Sequence, residues 1–163
     1  MKSLLIDIGA TRIKYSIFDH NSDSFLCPIQ STDFPFANIE DDGKNETDLK
    51  HIKLIFHKII KESAKNFQIS NVFICCQMHG FILRDNNKEL ITNFISWKDE
   101  RASKKFEGKM NYFDIFSEKM PDFKDITGIK IRSGLPVINI YSMTSDSEIP
   151  DNIEVLNLAE YLI

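Results

Sequence analysis

In the stretch LLIDIGATRIKYSIFD, Asp7, Gly9 and Thr11 stand where one strand-like run gives way to another. A sharp turn at that point exposes backbone N–H groups, the usual cradle for an anion. Gly9 lacks a Cβ and lets the backbone approach a ligand or take positive φ. Thr11 adds a hydroxyl donor and Lys14 a positive charge. Asp7 opposes this chemistry, because two like charges ~4 Å apart repel by about 1 kcal/mol in water and up to ~4 at an effective dielectric of 20. A cation is therefore needed between carboxylate and phosphate, and Mg²⁺ suits, since it keeps most of its waters and takes one or two carboxylates together with substrate phosphates. The candidate set is Asp7 for the hydrated metal, with Gly9, Ala10, Thr11 and Lys14 facing the phosphates. A hairpin with a solvated turn aspartate accounts for the same residues without a ligand.

Two later stretches carry groups suited to a polyhydroxy compound. Gln77, Met78, His79 and Gly80 follow an apolar run, and the carboxyl ends of strands border the ligand crevice of open α/β sheets. Gln77 and His79 supply donors and acceptors for several hydroxyls, and Gly80 leaves room. Trp97, Asp99 and Arg101 form a second set: an indole stacks on the apolar face of a polyol while a carboxylate takes its hydroxyls. The plain alternatives are a strand end with a satisfied histidine and an exposed ion pair at a helix start, worth under ~1 kcal/mol.

These residues need elements to hold them. Runs at 4–8, 13–18 and 25–30 are rich in Ile, Leu, Phe and Tyr and read as an antiparallel meander. A polar loop at 38–48 follows. Leu49, Ile52, Phe56, Ile59, Ile60, Ala64 and Phe67 recur every three or four residues with lysines between them, which predicts an amphipathic helix capped by Asn45 or Thr47. The unbroken apolar run 72–76 predicts a strand covered on both faces, and Cys75 and Cys76 inside it are expected to pack as small hydrophobes. A strand pair at 81–84 and 89–92 flanks an Asn86-Asn87 turn. Residues 100–120 read as helix interrupted by Gly108. Thr127-Gly128 marks an element's end, Pro136 a helix start, and 155–158 another buried strand.

The chain has 163 residues and a formal charge of −4, one soluble domain's worth with its lysines offset by acids in the same segments. That pattern argues against nucleic acid as partner. No apolar run approaches the ~18 residues of a membrane helix, and Asp7 and Arg12 interrupt any signal-peptide core, so a cytoplasmic location is expected. Cys27, Cys75 and Cys76 show no C-x-x-C spacing, and His20, His51, His57 and His79 do not cluster with them as metal ligands. The sequence stops at Glu160-Tyr161-Leu162-Ile163 without a helix stop signal and reads as cut rather than finished.

Taken in order, LLIDIGATRIKYSIFD, ICCQMHGFILRD, ELITNFISWKDERA, DITG and EVLNLAEYL resemble the N-terminal part of the FGGY family of carbohydrate kinases, nearest its xylulokinase branch through the QMHG tetrapeptide. The resemblance implies an α/β, ribonuclease H-like (actin-like) domain, with a mixed sheet, an N-terminal antiparallel meander and flanking helices. It implies ATP and Mg²⁺ as cofactors and a sugar or polyol as substrate, a ketopentose such as xylulose favoured. Asp7, Gly9, Thr11 and Lys14 match the phosphate and magnesium turn, with Ala10 where a hydroxyl residue is usual. Gln77, Met78, His79 and Gly80 match the sugar-binding strand end, and Trp97, Asp99 and Arg101 match a W-N-D-x-R pattern in which Lys98 replaces asparagine. The family's catalytic aspartate, adenine-binding segments and second lobe all lie beyond residue 163. Residues 1–163 are thus expected to be part of a first lobe, inactive alone, with the other half of the kinase as a possible partner. A non-catalytic sugar- or phosphate-binding module and a purely structural protein are the competing readings.

Overall fold

The computed structural model describes residues 1–39, 42–104 and 110–163. In chain order the elements begin with β1 (Lys2–Ile8), β2 (Arg12–Asp19), β3 (Ser24–Phe25), β4 (Gln30–Asp33), β5 (Asn38–Ile39) and β6 (Asn45–Thr47). Helix α1 (Leu49–Asn66), β7 (Asn71–Cys76), β8 (Ile82–Asp85) and β9 (Phe94–Ile95) follow. Then come α2 (Tyr112–Lys119), α3 (Phe123–Thr127), α4 (Pro136–Ser145), β10 (Ile153–Leu156) and α5 (Leu158–Leu162). Contacts divide the chain into two compact units, Met1–Phe36 with Asp48–Met78 and Leu158–Ile163, and Ala37–Thr47 with His79–Asn157.

The first unit is built on a mixed sheet of order β3-β2-β1-β7, with β4 also pairing β2. Strands β1 and β2 are antiparallel, Ile8 opposite Ile13, and β7 runs parallel to β1, Ile8 opposite Cys76. Side chains alternate across a pleated strand, so Leu4, Ile6 and Ile8 share a face with Ile13, Tyr15 and Ile17. Helix α1 lies on that side: Tyr15 and Ile17 line a common cavity with Glu62, Ser63 and Phe67. Of the predicted stripe, Leu49, Ile52, Phe56 and Ile59 are buried and Ile60 and Phe67 half-buried, but Ala64 is exposed and Ser63 takes the buried position in the last turns. Its cap is Asp48, whose Oδ1 accepts the Lys50 N–H at 2.8 Å. Asn45 and Thr47, the expected caps, belong instead to β6, because backbone pairing with β9 claims that segment.

Strand β7 is parallel as expected but is not covered on both faces. It pairs with β1 alone among the described strands, and Val72 and Phe73 are 40% and 56% exposed. A continuous apolar run is silent about whether a strand lies at the centre or the edge of its sheet. The cysteines follow suit: Cys75 is exposed and Cys27 and Cys76 half-buried, none packed in the core. Burial pushes the Cys76 thiol pKa up, opposed by the Ala159 N–H that it accepts.

In the second unit β8 pairs antiparallel with β10, and β5-β6-β9 form a small antiparallel sheet. Two apolar clusters fill it, Phe81, Leu83, Ile95, Met143 and Ile149 in one, Ala102, Phe116, Phe123, Leu135 and Ile138 in the other. Strand β8 ends in a turn in which Lys88 takes positive φ, Asp85 accepting the Asn87 and Glu89 N–H groups; 89–92, the expected partner strand, makes only an isolated bridge from Leu90 to Arg84. Pro136 opens α4 and Gly128, at φ 72°, closes α3. The late strand is Ile153–Leu156 rather than 155–158; Val155 faces outward and Leu158 starts α5. Between 100 and 120 the described chain forms a 3₁₀ turn at Arg101–Ser103 and then α2. Gly108, the expected interruption, lies outside the described residues, as do Glu40 and Asp41 of the polar loop.

Candidate functional site

The β1–β2 hairpin carries the candidate phosphate site. Its connection is Gly9, Ala10 and Thr11, and the Gly9 N–H is already spent on the Arg12 carbonyl at 2.9 Å. A Cβ on Gly9 would stand 3.1 Å from that same oxygen, a tight contact that a larger residue could make only if the Arg12 carbonyl shifted by a few tenths of an ångström. Among the described residues the Ala10 and Thr11 N–H groups have no partner, whereas the Thr11 carbonyl accepts from Phe34. Asp7 is not in the turn itself. It is the penultimate residue of β1, exposed and directly opposite Lys14 of β2, so carboxylate and ammonium share one sheet face just before the turn. Neither makes an ion pair among the described residues. No cluster of three or more acidic, histidine or cysteine side chains suited to a metal occurs among them either. Asp7 thus fits Mg²⁺ only as a single carboxylate whose other ligands are water and nucleotide, the arrangement this ion commonly adopts.

Gln77 belongs to the same strand ends: its N–H donates to the Ile8 carbonyl at 2.8 Å, and its Oε1 is buried without a partner among the described residues. A buried acceptor left unpaired is costly and points to a missing donor. Met78 is exposed.

In the second unit His79, Trp97, Lys98, Glu100, Arg132, Ser133 and Gly134 line a cleft of about 440 Å³. His79 adopts φ 65°, uncommon outside glycine. Behind it, Gly80 packs so closely on Phe94 that a Cβ would lie 2.2 Å from the ring. Trp97 is half exposed, with the Lys98 ammonium 5.6 Å above its ring.

Asp99 and Arg101 form a buried support rather than an exposed pair. Asp99 is 0% exposed and both its oxygens are taken: Oδ1 accepts from Arg101 N and Nε, at 3.2 and 2.8 Å, and Oδ2 from Asn45 N and Arg101 Nη2, at 2.7 and 2.8 Å. Arg101 Nη2 also reaches Glu46 Oε1 at 2.6 Å. Burial alone lowers the Arg101 pKa, but Asp99 and then Glu46 outweigh it and the net shift is upward. A carboxylate so occupied positions its neighbours and has little left for a sugar hydroxyl. Under it, Asn139 of α4 donates to the Asp99 carbonyl at 3.4 Å, while its own Oδ1 has no partner among the described residues.

Arg132, Ser133 and Gly134 were not singled out by the sequence, since no motif marks them. Gly134 sits at φ 81°, and a Cβ there would lie 2.0 Å from the Trp97 carbonyl oxygen, so the loop lies directly on the Trp97 backbone. Ser103 Oγ donates to Ser133 Oγ at 2.9 Å. A positive-φ glycine is the one signal the sequence offered.

This architecture, a mixed α/β fold of the ribonuclease H-like, actin-like type, recurs in solved sugar kinases. Gluconate kinase from Lactobacillus acidophilus matches with a TM-score of 0.77 at 20% identity, over 99% of this chain and 32% of that one. Xylulose kinase from Rhodospirillum rubrum gives 0.79 at 13%, over 99% and 33%. Plasmodium falciparum glycerol kinase, solved with ADP, gives 0.68 at 17%, over 98% and 33%. The chain thus spans about a third of the length of these structures. No curated protein matches its sequence. Residues 3–149 match the N-terminal domain of the FGGY family of carbohydrate kinases, and the chain belongs to that family.

Proposed function

We propose that this chain is part of the first lobe of an ATP-dependent carbohydrate kinase that works in the cytoplasm and transfers a phosphoryl group to a hydroxyl of a sugar or polyol. The observation that carries this reading is the hairpin. Two turn N–H groups without a partner among the described residues, at Ala10 and Thr11, follow an exposed Asp7 that stands beside Lys14. Phosphoryl transfer asks little covalent chemistry of the protein and depends on positioning and charge stabilisation. The turn N–H groups, the Thr11 hydroxyl and Lys14 orient nucleotide phosphates, and Asp7 holds the water shell of Mg²⁺. When bound, the metal offsets charge on the phosphoryl oxygens. His79, Trp97 and the cleft around them receive the acceptor, for which the tetrapeptide from Gln77 to Gly80 favours a ketopentose skeleton such as xylulose. Met78 shapes the rim, and Arg101 with Asp99 holds the Trp97 segment in place.

Asp99 does not act as general base, because its oxygens already accept four hydrogen bonds in a fully buried position. The base and the second lobe come from the other two thirds of a kinase of the length seen in the solved structures. A general base contributes ~10²–10⁴-fold, so residues 1–163 alone turn over no sugar. A sugar- or phosphate-binding module without catalysis, using the same hairpin and cleft, is the second reading. Calorimetric titration with ATP tests the first: binding that requires Mg²⁺ and is lost in Asp7→Asn supports it, and binding indifferent to both refutes it. Adding a polypeptide that carries the remaining two thirds of the kinase separates the readings, since only a kinase part then gains sugar-dependent ATP consumption.

A further inference from the structure

The second unit has another cleft, to which the kinase reading gives no role. It holds about 340 Å³ and is lined by Asn38, Lys44, Glu46, Asn93, Arg101 and Glu148, with Met143 and Ile149 beneath them. Among the described residues none lines both this cleft and the one at Trp97. Met143 and Ile149 are buried members of an apolar cluster and make a fixed floor. An apolar floor with a few placed polar groups, in a volume at the low end of the usual range, is the make-up of a small-molecule site.

Arg101 is the group that points to an occupant. Its side chain is only 5% exposed, and two of its nitrogens are spent, Nε on Asp99 and Nη2 on Asp99 and Glu46. Nη1, with two N–H donors, meets no acceptor among the described residues. Glu46 gives Oε1 to Arg101, and its Oε2 meets no donor among them. Donors left unpaired in so dry a position are costly. A free donor next to a free acceptor is satisfied by one group that both accepts and donates, a hydroxyl, and the amides of Asn38 and Asn93 offer the same dual chemistry.

Charge narrows the choice further. Each cation of the wall already has carboxylates: Lys44 has Asp42 at 3.1 Å and Glu148 at 3.9 Å, and Arg101 has Asp99 and Glu46. Those carboxylates repel an anion, and the two basic groups repel a metal cation. A neutral compound with several hydroxyls meets the open groups without adding charge.

We propose that this cleft binds a small neutral polyhydroxy compound, one hydroxyl accepting from Arg101 Nη1 and donating to Glu46 Oε2, at a site separate from the acceptor cleft of His79 and Trp97. Amide NMR of ¹⁵N-labelled residues 1–163, titrated with myo-inositol and with xylitol, reads the two clefts apart: Glu46, Asn93 and Glu148 report one, His79, Trp97 and Ser133 the other. At least one of the two polyols should shift the first set saturably, with a dissociation constant on the order of 1 mM, the scale expected for a neutral ligand of this size. Asn93→Ala and Glu148→Ala, both at exposed positions outside the Asp99, Arg101 and Glu46 network, should each weaken that binding roughly five-fold, the loss of one hydrogen bond. Inorganic phosphate should leave the same amides in place. Shifts confined to the His79 set, shifts that never saturate, or an affinity untouched by both substitutions overturn the proposal, since the cleft then holds water only. Phosphate bound at the Glu46 set as tightly as either polyol overturns it too. None of these results bears on the kinase reading, which the Mg²⁺-dependent ATP titration decides.

Discussion

Asp99→Ala is the sharpest test of how this site is held. In the native chain Asp99 accepts four hydrogen bonds at 2.7–3.2 Å, three from Arg101 and one from the Asn45 N–H. Truncation leaves Arg101, 6% exposed, with Glu46 as its one remaining ion-pair partner among the described residues, and leaves the Asn45 N–H without its acceptor. Removing one partner of a buried pair costs about 3–5 kcal/mol, since the other charge stays desolvated. With a urea dependence of about 2 kcal/mol/M for a small domain, the unfolding midpoint should fall by roughly 1.5–2.5 M. Trp97, two residues away and the chain's single tryptophan, makes fluorescence the assay of this unit alone. Removing the orphaned charge as well, in Asp99→Ala/Arg101→Met, should recover part of the loss. A midpoint shift below about 0.5 M for Asp99→Ala, or a double variant weaker than the single one, would refute the idea of a buried, mutually dependent pair.

Gly134→Ala should cost about 3 kcal/mol or more, from positive φ and the clash with the Trp97 carbonyl together, read by thermal unfolding and by altered Trp97 emission. Gly80→Ala should cost about 1–3 kcal/mol, because the buried Phe94 ring has to move. Phe73→Ser should change stability by no more than ~0.5 kcal/mol, since this side chain is 56% exposed at the sheet edge; a large loss would mean the face is covered. Arg84 and then Lys88 hold the Glu154 carboxyl down to about 2 from an ordinary 4.5. Its folded pKa being depressed, the pair's contribution is complete above about pH 4.5 and is lost as pH falls through about 2, so a carboxyl NMR titration of Glu154 with a midpoint near 4 would contradict it.

What the sequence made legible is what depends on local pattern. Alternation from Ile13 to Ile17 gave the hairpin its inward face, three- and four-residue spacing gave α1, and Pro136 and Gly128 marked ends through their backbone preferences. The candidate groups at Asp7, His79, Trp97 and Arg101 were visible because polar or aromatic types follow or close apolar runs there. Relationships set by distant chain were hidden. That Asp99 is sealed beneath Asn45 depends on a pairing across 54 residues, and that β7 is an edge depends on which strands lie beside it. Arg132 reaches the cleft only because the backbone folds onto Trp97, a contact with no linear signature.

The interleaving of the two units also constrains how a nascent chain acquires them. The β1–β2 hairpin closes within a few residues and can form as soon as it leaves the ribosome, but β8 must wait for β10, with Arg84 and Glu154 separated by 70 residues. Helix α5 joins a unit whose strands β1 and β2 lie more than a hundred residues before it. Long closures of this kind slow folding and expose unpaired strand edges meanwhile, so β8 goes without its β10 partner until residues 153–156 are translated.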